Sequence, residues 1–112
     1  MKTQNIINKG VHCKIRVYGS GLVVGKNYTA VLYYSPSKAE GRAEVTQTAA
    51  TEQQEIDGVT TSVVACVFDF TPEQTAQLTK GKVIFEVYDT ENREQMMYDE
   101  NYATVRSTSL QN

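Results

Sequence analysis

The only histidine of the chain, His12, stands next to Cys13, and a histidine beside a thiol can activate a cysteine as a nucleophile. Both residues lie in the segment VHCKIRVY, which alternates apolar and polar side chains as a half-buried strand does. Successive side chains of a strand point to opposite faces, so His12 and Cys13 should face away from each other. With no second histidine, a histidine metal cluster is also excluded. The sequence therefore predicts a protein that is not an enzyme and has no catalytic residue.

Carboxylates are the other side chains that could do chemistry, and they are dispersed along the chain. Asp89-Thr90-Glu91 and Asp99-Glu100 offer oxygen ligands of the kind that calcium prefers. The glycine and the ligand spacing of a calcium loop are missing, so polar hairpin tips are the favoured interpretation and calcium is the alternative. Gly19-Ser20-Gly21 is followed by apolar, strand-like residues rather than a helix, which disfavours phosphate binding. We expect no metal and no cofactor.

Tyrosine is the residue type that points to binding, because the chain has seven tyrosines and no tryptophan. Tyrosine is common at protein interfaces, where its rigid apolar ring carries a polar tip. Adjacent Tyr33 and Tyr34 should place one ring on each face of a strand. The predicted partner contacts combine these rings with polar turn residues: Tyr33, Tyr34, Asp89, Glu91, Arg93, Asp99 and Asn101. Carbohydrate binding is the alternative, and it would require a platform of three or more rings among Tyr18, Tyr33, Tyr34, Tyr88 and Tyr98.

Length and charge place these residues in one domain, residues 1–112. A net charge of −2 with both signs interspersed disfavours nucleic acid as a partner. The longest apolar run, Val63–Phe68, is far shorter than the roughly 20 residues that cross a membrane, and the first ten residues lack the apolar stretch of a signal peptide. We therefore expect synthesis in a cytoplasm, where Cys13 and Cys66 would be buried thiols; a disulfide between them stays open.

Short strands separated by turns must position all of these residues. Alternating or β-branched runs predict strands at 11–18, 27–35, 42–48, 59–70 and 83–88, with 22–24 as a further edge segment. A polar loop is predicted at 49–58, a hairpin turn at Asp89–Arg93, and two short strands at 94–98 and 102–108. About seven short strands with turns between them indicate an all-β sandwich.

A short helix is predicted near residues 72–78, between two of these strands. Thr71 suits the N-cap, Pro72 the first helical position, and Gln74 completes a capping box. Lys80-Gly81 should stop the helix after about two turns. A brief helix can carry the chain from one sheet to the other, with Leu78 closing the end of the core.

Residues 68–108 resemble an immunoglobulin-like module of tailed-phage virions, found in capsid decoration proteins, head fibres and baseplate or tail proteins. The turn TAQLTKG fits the module's pattern T-x-x-L-x-x-G, and the segment DTENREQMMYDENYATVR fits its final hairpin and strand. The residues that carry the resemblance are Phe68, Phe70, Thr71-Pro72-Glu73-Gln74-Thr75, Leu78, Gly81 and Val83-Ile84-Phe85-Glu86-Val87-Tyr88.

This resemblance implies an immunoglobulin-like β-sandwich that is a structural part of a virion and is assembled in the host cytoplasm. Its expected partners are other virion structural proteins, in the first place capsid subunits, with no nucleic acid and no membrane; tail or baseplate subunits are the alternative. The resemblance also implies an oligomeric arrangement in the assembly. The termini, residues 1–8 and 107–112, are expected to act as tethers.

Overall fold

The structure, a computed structural model, describes residues 5–19, 21–34 and 42–106. In these ranges the chain forms β1 (Asn5–Asn8), β2 (Cys13–Tyr18), β3 (Asn27–Tyr34), β4 (Ala43–Thr48), β5 (Ala50–Ile56), β6 (Val59–Phe70), α1 (Pro72–Ala76), β7 (Gly81–Asp89) and β8 (Gln95–Arg106). Sheet A has the order β1-β8-β7-β3-β4, and sheet B has the order β2-β6-β5. The predicted all-β sandwich with one short helix is confirmed.

The connections between the strands are those of an immunoglobulin-like sandwich. Sheet B, in the order β2-β6-β5, corresponds to the immunoglobulin strands B, E and D. In sheet A, the neighbours β8, β7, β3 and β4 correspond to strands G, F, C and C′. The first strand, β1, pairs in parallel with the last strand, β8, while the other neighbours in both sheets are antiparallel.

The core lies between the two sheets because the alternation of each strand sends one set of apolar side chains inward. Phe68 and Phe70 of β6 meet Phe85 of β7 and Leu32 of β3, and all four are fully buried. The rings of Phe68 and Phe85 pack edge to face, with their centroids 6.5 Å apart. Aromatic pairs favour this geometry, and this pair connects the two sheets across the core.

Helix α1 carries the chain from β6 in sheet B to β7 in sheet A, as predicted. The Thr71 side chain accepts a hydrogen bond from the Gln74 backbone, and the Gln74 side chain accepts one from the Thr71 backbone, which completes the capping box. The Thr75 hydroxyl donates to the Val11 carbonyl at 2.9 Å, and Leu78 is fully buried under the helix. No helix in the described ranges is long and apolar enough to cross a membrane.

The prediction of a polar loop at 49–58 is wrong. Residues Ala50–Ile56 form strand β5, which pairs with β6 from Ala50–Ala65 to Ile56–Val59. Asp57 and Gly58 form the two-residue turn, with φ of 52° and 78°, as a type I′ hairpin turn requires. The polar composition led to the wrong prediction because both faces of the outer part of this hairpin contact solvent. Its sequence therefore lacks the alternation of apolar and polar residues that indicates a strand.

Four further boundaries differ from prediction. Helix α1 ends at Ala76 with Gln77 as its C-cap, so it is shorter than two turns and stops before Lys80-Gly81. Residues 22–24 form turns rather than a strand, and Asn5–Asn8, expected to be a tether, is paired with β8. Residues 95–106 form one continuous strand instead of two, because β8 passes through an irregular stretch of its pairing with β7 without leaving the sheet. The other predicted tether residues, 1–4 and 107–112, lie outside the described residues.

Candidate functional site

Asp89, predicted as a partner contact, is buried and has a structural role. It ends β7, and Lys26 Nζ lies 2.5 Å from its Oδ2 atom. Its Oδ1 atom accepts hydrogen bonds from the backbone N–H groups of Glu91 at 2.9 Å and Asn92 at 3.3 Å. Because both oxygens are engaged inside the molecule, Asp89 holds the β7–β8 turn in shape.

The electrostatics agree with this geometry. The hydrogen bond from Lys26 lowers the pKa of Asp89, and the backbone N–H donors of Glu91 and Asn92 lower it further against the opposing effect of burial. The same contact raises the pKa of Lys26. Both side chains are therefore charged across the neutral range.

The β7–β8 turn that Asp89 supports presents Glu91 and Arg93 to solvent, and this hairpin turn at Asp89–Arg93 is confirmed. Arg93 has a positive φ of 65°, and its backbone N–H donates to the Asp89 carbonyl at 2.8 Å. Its guanidinium carbon lies 4.6 Å from the centroid of the Tyr88 ring, a cation–π distance. The turn thereby places a positive charge at the border of an aromatic surface.

That aromatic surface is the outer face of sheet A. Tyr33 of β3, Tyr88 of β7 and Tyr98 of β8 all project from it; we call these three rings, with the neighbouring acids Glu44 and Glu86, the tyrosine face. On this face Tyr33 forms a small buried apolar cluster with Val31 and Ile84, and Tyr88 packs against it. The face therefore has an apolar base of its own, separate from the core between the sheets.

Carboxylates hold the rings of the tyrosine face in place. The Tyr33 hydroxyl donates to Glu86 Oε1 at 3.4 Å, and the Tyr88 hydroxyl donates to Glu44 Oε2 at 3.0 Å. Burial, followed by the nearby Glu86, raises the pKa of Tyr33; burial and the hydrogen bond to Glu44 raise that of Tyr88. The hydroxyls thus remain protonated donors. Tyr33 is only 8% exposed, whereas Tyr98 is 48% exposed, so one ring offers most of the accessible aromatic surface.

The remaining predicted contacts lie away from the centre of this face. Tyr34 points to the opposite side of β3 from Tyr33, where its ring approaches Gly81. Asp99 and Asn101 were predicted at a hairpin tip, but they lie inside β8. There the Asp99 side chain accepts a hydrogen bond from the Asn101 backbone at 3.0 Å and stabilises the irregular stretch of the strand.

His12 and Cys13 are separated as the alternation predicts. His12 is exposed and contacts Asp69, while Cys13 packs against the core. Cys13 and Cys66 are free thiols. Both lie in sheet B with a register offset of four residues, about 13 Å along the strands, which exceeds the reach of a disulfide. Burial raises the pKa of the Cys66 thiol to about 11, so this cysteine is an inert core residue.

The cavities and acidic groups outside the tyrosine face offer little chemistry. A pocket of about 180 Å³ opens between β2 and β8 and is lined by apolar residues such as Val17, Leu22 and Met97. A second cavity, of about 290 Å³, lies between β4 and β5 and is lined by residues such as Gln47 and Glu52. Both volumes are below the roughly 300 Å³ at which pockets for small ligands begin. In the described ranges, no group of three His, Cys, Asp or Glu side chains is placed to hold a metal ion.

Tyr28 has a structural role that the sequence pattern did not predict. Its side chain is buried, its hydroxyl accepts a hydrogen bond from the Val23 backbone at 2.8 Å, and it donates to the Gly21 carbonyl at 3.4 Å. The tyrosine corner of immunoglobulin sandwiches makes the same kind of hydrogen bond to upstream backbone, but it lies near the start of strand F, whereas Tyr28 lies on β3, which corresponds to strand C. Its position on the inner side of the strand that begins at Asn27 is the signal that identifies it as a core residue.

No known protein family, curated protein or solved structure gives a significant match to this chain. The likeness of residues 68–108 to phage modules consequently depends on the residues quoted above.

Proposed function

We propose that this chain is a non-enzymatic structural protein of a bacteriophage virion, an immunoglobulin-like domain that docks on capsid subunits as an auxiliary or decoration protein. The resemblance of residues 68–108 to such modules motivates the proposal. The immunoglobulin-like order of the strands and the helix that links the two sheets agree with it.

The observation that carries the docking part of the proposal is the tyrosine face. Protein interfaces combine aromatic anchors with a polar rim, and here exposed Tyr98 stands beside nearly buried Tyr33 with Glu86 and Arg93 close by. Hydrogen bonds to carboxylates already fix two of the rings, which lowers the entropy lost when a partner binds. A rigid aromatic surface of this kind suits a flat subunit surface.

The test compares virions that carry wild-type protein, the Tyr98→Ser variant or the Tyr18→Ser variant. The two tyrosines are matched, because Tyr98 is 48% and Tyr18 45% exposed, but Tyr18 lies on sheet B. Lysates are separated on a density gradient, and the chain is quantified in each fraction by mass spectrometry. We expect wild-type protein and Tyr18→Ser in the DNA-filled particles, and about tenfold less Tyr98→Ser there.

If wild-type protein remained among the soluble proteins at the top of the gradient, the virion proposal would be wrong. If Tyr98→Ser and Tyr18→Ser bound the particles equally, the virion role would stand and the tyrosine face would not be the docking surface. The copy number per particle distinguishes the capsid from a tail or baseplate position, since a tail component is present in far fewer copies.

The alternative function is recognition of a surface carbohydrate, and one observation favours it. Tyr33, Tyr88 and Tyr98 lie on the same sheet face, as a sugar-stacking platform requires. The low exposure of Tyr33 argues against three available rings. A glycan array probed with the purified protein gives binding that Tyr98→Ser abolishes if this alternative holds, and no binding if it does not.

A further inference from the structure

The β5–β6 hairpin extends beyond the packed part of the sandwich. In its outer part the side chains on both faces are exposed, including Ile56 at 48% and Val59 at 62%. Among the described elements, β5 has extensive contacts only with β6, and it is an edge strand of sheet B. Within the described ranges, one side of β5 therefore has no strand paired to its backbone groups.

This edge lacks most of the features that usually protect edge strands from pairing, and its only charges are Glu52 and Glu55. Lysine, proline and bulges blunt such edges, and the sequence ATEQQEI of β5 has no lysine and no proline. Its pairing with β6 runs without a register shift over all seven residues. By contrast, the other edge of sheet B, β2, carries Lys14 and Arg16, and β1 of sheet A has only four residues.

The turn determines which backbone groups of β5 face outward. Ile56 and Val59 flank a two-residue turn and therefore form a hydrogen-bonded pair. Hydrogen-bonded and non-hydrogen-bonded positions alternate along an antiparallel pair, so Thr51, Gln53 and Glu55 direct their N–H and C=O groups away from β6. A new strand has to form its hydrogen bonds with these three residues.

A second copy of the same strand satisfies this pattern. With a two-fold axis at Gln53, antiparallel pairing places Gln53 opposite Gln53 of the other copy, and each Thr51 opposite a Glu55. The residues whose backbone groups bond to β6 are then also paired, with Ala50 opposite Ile56 and Glu52 opposite Gln54. All seven residues are paired, apolar residues meet apolar residues, and no two like charges are opposite each other.

Neighbouring registers of the two β5 strands pair less favourably. An axis at Glu52 places the two Glu52 carboxylates opposite each other, which is repulsive. An axis at Gln54 places Glu52 opposite Ile56 and extends the pairing into the turn at Asp57. An axis between two residues would place a residue with free backbone groups opposite one whose backbone groups are already bonded to β6, so the two could not form hydrogen bonds. Parallel pairing in register would stack Glu52 on Glu52 and Glu55 on Glu55.

We propose that two copies of this chain form a symmetric dimer by antiparallel pairing of β5, centred on Gln53. The two copies of sheet B join into one six-stranded sheet in the order β2-β6-β5-β5-β6-β2. The contact is isologous, as closed two-fold dimers require. The proposal rests on the hairpin geometry alone and is independent of the virion role and of the tyrosine face.

The test uses two matched variants of the full chain. The Gln53 side chain donates to the Ser62 hydroxyl at 2.9 Å, so Gln53→Lys and Ser62→Lys both remove this hydrogen bond and add one positive charge. In the dimer, Gln53→Lys places two lysines about 5 Å apart across the axis, whereas Ser62→Lys separates them by three strand spacings, about 14 Å. Association is measured by analytical ultracentrifugation from micromolar to millimolar concentration, and thermal unfolding verifies that each variant folds.

We expect wild-type protein and Ser62→Lys to dimerise, and Gln53→Lys to raise the dissociation constant about tenfold or more. In the wild-type dimer, amide hydrogen exchange measured by NMR should become slower at Thr51, Gln53 and Glu55, while the amides of Glu52 and Gln54 are already protected by β6. A wild-type protein that stays monomeric over the whole range would overturn the proposal. Equal weakening of association by both lysine variants, or slower exchange confined to other strands, would do the same.

Discussion

At the scale of single residues, polar groups that looked like surface contacts turn out to define the shape of the molecule. Asp89 was expected to meet a partner, yet its oxygens bind Lys26 and the backbone of its own turn. Thr75 is fully buried and donates to Val11 on a different part of the chain. Buried polar groups are stable only when they are hydrogen-bonded, so these residues constrain which turns and ends can pack together.

The Asp89–Lys26 contact predicts how stability depends on pH. The lowered pKa of Asp89 means that its contribution is present above the ordinary aspartate pKa of about 4 and is lost as the pH falls through the lowered value. The raised pKa of Lys26 means that its contribution is lost only at strongly alkaline pH. We expect Asp89→Asn to have a lower Tm than wild type at pH 7, and the difference to shrink on acidification.

Thermal unfolding followed by circular dichroism from pH 2 to pH 8 measures this difference, with Glu91→Gln as the control. Glu91 is an exposed carboxylate of the same turn whose charge has only a minor effect on Lys26, so its variant should differ from the wild type much less than Asp89→Asn does. A difference between wild type and Asp89→Asn that stayed constant down to pH 2 would show that the ion pair is not the cause.

At the scale of elements, the connectors decide how the strands are used. Helix α1 is anchored at three points: its capping box, the Thr75 hydrogen bond to Val11, and the Gln74 side chain, which donates to the Glu44 carbonyl of β4. Leu78, just after the helix, fills the end of the core. A five-residue helix has little stability of its own, so these tertiary contacts keep it folded.

We therefore expect Leu78→Ala to lower the free energy of unfolding by about 2–5 kcal/mol, because it leaves a cavity at the end of the core. Chemical denaturation with urea measures the change. Gln77→Ala is the control, since Gln77 is exposed beside Leu78 and its loss should change the stability by less than about 0.5 kcal/mol. Similar losses for both variants would mean that the segment is not packed as described.

At the scale of the whole molecule, the first and last described strands are neighbours. Strand β1 pairs in parallel with β8, and Ile7 lies opposite Val105 with both side chains buried in the core. The sandwich is thus completed only when β1, the first described strand, pairs with β8, the last described strand. This contact joins residues far apart in the chain, so loop-closure entropy opposes its formation.

Replacing Ile7 by Ala should lower the free energy of unfolding by about 2–4 kcal/mol, since a buried isoleucine loses its packing. Ile6→Ala is a closely matched control: the same residue type is replaced one position earlier, where the side chain is 53% exposed. Urea denaturation of both variants measures the difference. If Ile6→Ala and Ile7→Ala had equal effects, β1 would not contribute a defined face to the core.

The sequence by itself determined the strands β2, β3, β6 and β7 and the start of α1, because their signals are local. Alternation in CKIRVY, β-branched and aromatic residues in VVACVFDF, and the capping box at Thr71 and Gln74 each act within a few residues. The turn at Asp57-Gly58 was also readable, since this dipeptide favours a type I′ turn, but the polar residues around it obscured the strand.

Only the tertiary structure decided how exposed the candidate site residues are and which of them lie together. Tyr33 and Tyr98 have the same chemistry, yet Tyr33 is nearly buried and Tyr98 is half exposed. The neighbours on the surrounding strands determine this difference; one of them is Glu86, which lies 53 residues from Tyr33 in the chain. The charge of Asp89 is tolerated in its buried position because Lys26, from the segment before β3, pairs with it. Exposure and pairing depend on neighbours across strands, and such neighbours are distant in sequence, so no local pattern specifies them.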